Sequence, residues 1–127
     1  MYNDIKYMFA FQKLETYQQS KEFVKEVYSL INTFPDTERF ALCNQIRRAA
    51  VSIPSNIAEG VSRISDKEKG HFIEISYGSL MEVLCQMEIS ADLGYIKADQ
   101  FKEIEVKTER LSKLLVSLRH KYLTRNL

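Results

Sequence analysis

Glu68 and His71 stand three residues apart, the spacing by which one helix of a di-iron bundle offers a carboxylate and an imidazole from a single face. Such a centre needs a second Glu-x-x-His, and the only other histidine, His120, has Ser117 three positions before it. The sequence has no glycine-rich phosphate loop, no Cys-x-x-Cys pair and no serine elbow. Cys43 and Cys85 both fall in apolar periodic stretches without a base partner evident nearby, so they read as small buried hydrophobes of a reducing compartment. The expectation is a non-enzyme with no metal and no cofactor.

The densest polar chemistry is the run Gln45-Ile46-Arg47-Arg48-Ala49-Ala50-Val51-Ser52-Ile53-Pro54-Ser55-Asn56-Ile57-Ala58-Glu59-Gly60. Two readings of it stay open. In the structural one, Ala49, Ala50, Ser52 and Ser55 permit close helix approach, and Ser or Asn side chains serve the carbonyl that Pro54 leaves without a donor. Glu59 and Arg63 then pair across one helical turn. In the functional one, Asn56, Glu59 and Arg47 or Arg48 face an interface or groove.

Charge placement supplies a second candidate. The chain holds 18 Lys and Arg against 17 Asp and Glu, a net charge of +1 that would argue against a nucleic-acid partner. The distribution is uneven, however. Residues 65–94 hold two basic and six acidic side chains, residues 95–127 eight and four, and no acid follows Glu109. Arg110, Lys113, Lys121 and Arg125, with Ser117 between them, fall at successive helical steps and predict one positive strip. Such a strip would bind phosphates by counterion release, with strong salt dependence and little base specificity. Its alternative is a solvated helix end whose cations complement the macrodipole.

These residues must be carried by helices. At 127 residues, with 45% hydrophobic side chains and only four Gly and two Pro, the chain predicts a single domain over residues 1–127. Apolar residues recur at three and four, which makes the class all-α. The first helix is expected over about 16–33, with Tyr17, Val24, Val27, Tyr28, Ile31 and Phe34 on one side and Pro35 ending it. A second is expected over about 38–62, with Leu42, Ile46, Ala49, Ile53, Ile57 and Ile64 near a seam and a bend near Ala50 imposed by Pro54. Ser65 caps a third that runs to Leu93, where Gly94 stops it. Its seam is Ile73, Tyr77, Leu80, Leu84, Met87 and Ala91, beside a second line of Phe72, Ile75, Ser79 and Val83 that suggests a subunit contact. The fourth, about 98–123, carries Phe101, Ile104, Thr108, Leu111, Leu115, Leu118 and Tyr122. Short connections then give an antiparallel up-down-up-down four-helix bundle with a Pro-kinked second helix. Residues 1–13 form an apolar arm, expected to dock on the bundle or a neighbouring subunit. The longest early apolar run, Tyr7 to Phe11, is too short to span a membrane, so a cytoplasmic location is expected.

The run from Gln45 to Gly60, followed by Gly78-Ser79-Leu80-x-Glu82 and Leu93-Gly94-Tyr95, resembles the four-helix-bundle family encoded in intervening sequences of bacterial 23S ribosomal RNA genes. Phe11-x-Lys13-Leu14 and Phe34-Pro35-x-x-Glu38 also fit, so the resemblance extends from Phe11 to about Tyr95. Tyr17 stands where that family commonly has Trp, and Val61-Ser62 is less basic than in many members. The family is related to the accessory variability determinant of diversity-generating retroelements, a barrel-like homopentamer that binds a reverse transcriptase and nucleic acid. The resemblance implies a homo-oligomer, a pentamer, that binds RNA or DNA without catalysis. Arg47, Arg48, Arg63, Arg110, Lys113, Lys121 and Arg125 are the candidate phosphate contacts, and Ser52, Pro54, Asn56, Glu59, Gly60, Ser79 and Glu82 the candidate interface or structural motif. The alternative is a scaffold that docks a partner enzyme, such as a reverse transcriptase, without touching nucleic acid.

Overall fold

A computed structural model describes residues 6–125. A 3-10 turn at Ala10–Lys13 precedes four helices: α1 (Glu15–Ile31), α2 (Leu42–Val61), α3 (Asp66–Asp92) and α4 (Ala98–Thr124), with a second 3-10 turn at Asp36–Glu38. No strand occurs among the described residues. Paired positions in neighbouring helices run in opposite chain directions. Ser76 Oγ donates to the Ile53 carbonyl and Ser79 meets Ser52, while Gly60 lies against Phe72. Between α3 and α4, Gly70 meets Leu123 and Glu74 meets Arg119. Cys43 Sγ donates to the Ile31 carbonyl at 3.8 Å across α1 and α2, and Lys107 bridges to Glu26 across α4 and α1. Contact is most extensive between α2 and α3 and between α3 and α4, and thinnest between α1 and α4.

Local chemistry sets the helix ends. Ser65 Oγ accepts the Glu68 amide at 3.1 Å, the cap expected for α3. At the other end Gly94 takes φ +79°, and the Tyr95 and Gly94 amides bond the Ser90 and Ala91 carbonyls in the paired pattern of a Schellman stop. The second helix begins at Leu42, later than its periodicity suggested. Pro35 to Ala41 instead close a tight turn, with the Glu38, Arg39 and Ala41 amides bonded to the Pro35, Asp36 and Glu38 carbonyls. Arg47 Nη2 reaches back to the Arg39 carbonyl at 2.8 Å. From Leu42, α2 continues through Pro54 without a break.

The core joins all four helices around Val27, Ile46, Ile53, Ile57, Ile73, Leu80, Met87 and Leu115. On α4 the buried line is Ile104, Thr108, Leu111, Leu115, Leu118 and Tyr122, as its spacing predicted. The inward line of α1 differs: it is Thr16, Ser20, Phe23, Val27 and Ile31, while Tyr28 is exposed. On α3, Ser76, Gln86 and Ser90 are buried, whereas Tyr77 is exposed. Ile64 was expected on the α2 seam but is 98% exposed, because the helix ends before it and Gly60 is the last buried position. Of the arm, residues 1–5 lie outside the described residues. Its Ala10–Lys13 turn packs against α1 and α2, with Phe11 edge-on to Tyr17, and Met8 and Phe9 are exposed.

Candidate nucleic-acid interface

Within the polar run of α2, Ser52 bonds across to α3 while Ser55 and Asn56 bond within their own helix. Ser52 and Ser79 hydroxyls meet at 2.8 Å, and Asn56 Nδ2 donates to both the Ser52 carbonyl and the Ser52 hydroxyl. Ser55 Oγ donates to Val51 O. The carbonyls served are therefore those of Val51 and Ser52, which follow Ala50, the residue whose carbonyl Pro54 cannot serve. At Gly60 an added Cβ would lie 2.5 Å from Phe72 Cβ, so the absent side chain is what lets α3 approach. Glu59 pairs with Arg63 at 3.0 Å, and the Arg63 guanidinium lies 4.6 Å from the Phe72 ring centroid. Glu82 accepts from Gln86 Nε2 within α3. Thus Ser52, Gly60 and Ser79 join α2 to α3, Asn56 braces Ser52 from within α2, and Arg63, held by Glu59, covers Phe72 at the edge of the same seam.

The candidate basic residues divide by what they touch. Arg47 holds the turn before α2 through the Arg39 carbonyl. Arg125 grips Asp66 with Nε at 2.9 Å and Nη2 on the second oxygen, tying the end of α4 to the start of α3. That bonding pushes the Arg125 guanidinium pKa above its ordinary value. Lys113 pairs with Glu109 one turn away at 3.2 Å. Arg48, Arg110 and Lys121 are exposed and have no ion pair among the described residues. Arg110 lines a cleft of about 540 Å³ between α1 and α4, opposite Glu15, Glu22 and Glu26 and over Phe23 and Leu111.

Other cations act between helices in ways the sequence pattern did not reveal. Lys107 Nζ lies 2.7 Å from Glu26 and 3.2 Å from Glu103, and the Glu26 bond raises its pKa. Arg119 bonds Glu74 at 2.7 Å, and Lys69 sits 5.4 Å from the Tyr122 ring centroid. His71 Nδ1 is 3.9 Å from Glu74, with both side chains exposed. Among the described residues no three His, Cys, Asp or Glu side chains are grouped to hold a metal ion, and no helix is long and apolar enough to cross a membrane.

The cysteines differ in environment. Burial raises the Cys43 thiol pKa, against a smaller opposing effect from Arg47, while Cys85 is exposed on α3. Because the thiolate is the reactive form, N-ethylmaleimide should modify Cys85 first in native protein and reach Cys43 only on unfolding. Peptide mapping by mass spectrometry reads this directly. Early labelling of Cys43 would contradict the closed α1–α2 contact, and protection of both would mean that the outer face of α3 is covered.

The chain matches the family described as 23S rRNA-intervening sequence protein over residues 12–117. It is also similar to a solved structure from Bacteroides thetaiotaomicron, described as a protein of unknown function from the S23 ribosomal protein family. The TM-score is 0.76 at 24% sequence identity, over 83% of this chain and 95% of that one, a likeness of fold. No curated protein matches.

Proposed function

The chain belongs to the 23S rRNA-intervening sequence protein family, and on that premise we propose that it is a non-catalytic, oligomeric accessory protein of the cytoplasm that binds RNA or DNA phosphates through basic surfaces. The observation that carries this reading is the set of exposed cations that form no ion pair among the described residues, Arg48, Arg110 and Lys121, of which Arg110 faces the acids of the α1–α4 cleft. Repeated in a ring of subunits, these charges would multiply phosphate affinity without any base-reading residue. A pentamer is the assembly proposed. Ile75 and Ile89 on α3 and Val116 on α4 are exposed apolar positions that such an assembly could cover.

Filter binding of a structured RNA across a salt series tests this reading. Binding should weaken steeply as salt rises, and the joint replacement Arg110→Gln, Lys113→Gln and Lys121→Gln should weaken it at low salt and flatten the slope. Arg125 is left intact because its guanidinium holds Asp66. No binding at low salt, or binding unchanged by the three replacements, would overturn the assignment of these residues.

The exposed apolar residues of α3 also favour a second reading, a scaffold that docks a partner enzyme such as a reverse transcriptase and never contacts nucleic acid. Copurification of such a partner after nuclease treatment, with no nucleic-acid affinity, would select it.

A further inference from the structure

The ion pairs leave an uneven remainder along the bundle. One end is built from the Ala10–Lys13 turn, the start of α1, the close of α2, the start of α3 and the end of α4. Arg63 over Phe72, Arg125 on Asp66 and Lys69 over Tyr122 join the last three. Phe11 and Ala58 line one groove, which puts the Ala10–Lys13 turn beside the same half of α2. At this end Glu59, Asp66 and Glu74 are each held by an arginine. Glu68 lies within its own helix cap, beside Ser65, and Glu15 at the start of α1 is the exposed acid set against the lysines here, with no ion pair among the described residues. Lys13, Lys67 and Lys121 are exposed here and have no ion pair among the described residues. The opposite end carries the reverse remainder. Asp36, Glu38, Glu88, Asp92 and Asp99 lie there, none in an ion pair among the described residues, against two exposed cations, Arg39 and Lys97, that are likewise outside any ion pair.

Two magnitudes make this separation consequential. A helix of 27 residues, the length of α3 and α4, is about 40 Å long at 1.5 Å per residue. Salt screens exposed charges over about 8 Å at physiological ionic strength, so neither end cancels the other for a ligand at its surface. The net charge of +1 is therefore the wrong quantity for judging affinity. Helix dipoles do not produce the asymmetry either. Two helix starts and two helix ends meet at each pole of an antiparallel four-helix bundle, and their fields oppose.

We propose that the phosphate-binding surface of this protein is the basic end of the bundle, centred on Lys13, Lys67 and Lys121, and that it takes a nucleic-acid backbone end-on while the acidic end points away. The proposal rests on the nucleic-acid reading above and narrows it from the length of α4 to one pole. Arg110 and Lys113 lie away from that end, and Lys113 is paired with Glu109. Phosphate oxygens are the shared ligand, so RNA and DNA of equal length should bind alike.

The test compares two full-length variants that change net charge equally. One carries Lys13→Glu, Lys67→Glu and Lys121→Glu at the basic end. The other carries Arg39→Glu, Lys97→Glu and Lys102→Glu at the acidic end. Thermal melts establish that both remain folded. Fluorescence anisotropy with a labelled 20-nucleotide single-stranded RNA and the matching DNA, each at several salt concentrations, gives affinity and salt slope. The first variant should lose about tenfold or more in affinity at low salt, with a shallower slope, and the second should stay within about threefold of the parent. Equal losses would show that only net charge matters and would overturn the pole. Retained binding in the first variant together with loss on Arg110→Gln, Lys113→Gln would overturn it in favour of the α4 face. Failure of the parent protein to bind either probe would instead remove the nucleic-acid reading on which the pole depends. Ile64, between α2 and α3, is an exposed apolar residue at this end, so vesicles containing phosphatidylserine form a further arm. Tighter association with vesicles than with either oligonucleotide would overturn the proposal and assign the end to a lipid surface.

Discussion

Gly60→Ala is expected to destabilise the protein although alanine is the better helix former. The replacement gains about 1 kcal/mol of helix propensity. Against this, the new Cβ would sit 2.5 Å from Phe72 Cβ and 3.4 Å from the Lys69 carbonyl oxygen. Phe72 Cβ is fixed to the α3 backbone, so no rotamer change relieves the contact and the two helices must separate. Overpacking of this kind costs about 1–3 kcal/mol, which leaves a net loss of up to about 2 kcal/mol. For a chain of this length that lowers the melting temperature by about 3–5 °C per kcal/mol. The other helical glycines supply the contrast. At Gly70 the nearest atom is Leu123 Cδ2 at 2.7 Å, the far end of a side chain exposed enough to swing aside, and at Gly78 nothing lies within 4 Å. Gly78→Ala should therefore raise the melting temperature and Gly70→Ala should change it little. If all three substitutions raised it alike, close approach at Gly60 would not govern the α2–α3 contact.

How far the sequence reveals this fold depends on whether each core position is apolar. On α4, five of the six buried residues are hydrophobic or aromatic, so alternation at three and four marks the face directly. On α1 and α3 the inward faces include Thr16, Ser20, Ser76, Gln86 and Ser90, and a count of apolar residues drifts toward Tyr28 and Tyr77 instead. The three buried serine hydroxyls are satisfied locally or across helices. Ser20 donates to Tyr17 O at 2.6 Å, Ser90 to Gln86 O at 2.7 Å, and Ser76 to Ile53 O at 2.9 Å. A satisfied hydroxyl is inexpensive to bury and invisible to a hydropathy pattern. Ile64 shows the converse error, an apolar residue in phase with a helix that has already ended.

The candidate site was legible as residue types but not as pairings. Ser52, Asn56 and Gly60 stand out within one helix, yet Ser79 is 27 residues from its partner and becomes meaningful only through interhelical register. The same holds for charge. Arg125 reads as the end of a positive strip until Asp66, 59 residues earlier, is found beneath it. Lys67 attracts no notice in an acidic segment until the arginines of neighbouring helices have taken its acidic neighbours. Which charges remain for a ligand is thus a tertiary property, whereas which charges exist is a sequence property.

The largest expected effect of a single replacement lies in the core, and adjacent residues of α4 isolate its cause. Leu115 is 0% exposed and Val116 is 55% exposed, though both are aliphatic, mid-helix and one position apart. Leu115→Ala removes apolar atoms from the buried core that it shares with Ile73 on α3 and leaves a space that four anchored helices can close only in part. The expected cost is about 2–5 kcal/mol. Val116→Ala removes a β-branched residue from an exposed helical position, where propensity favours alanine by a few tenths of a kcal/mol, about 0.5. Urea unfolding at fixed protein concentration should therefore show a large fall in midpoint for Leu115→Ala, and little change or a small rise for Val116→Ala. Concentration dependence adds a second reading of the same pair. If subunits associate through the outer faces of α3 and α4, Val116→Ala removes buried interface and loses stability more at high protein concentration, whereas the Leu115→Ala deficit persists at every concentration. A large loss for Val116→Ala that vanishes on dilution would place the apolar outer face in the assembly. A loss as large as that of Leu115→Ala at every concentration would contradict the placement of Val116 outside the core.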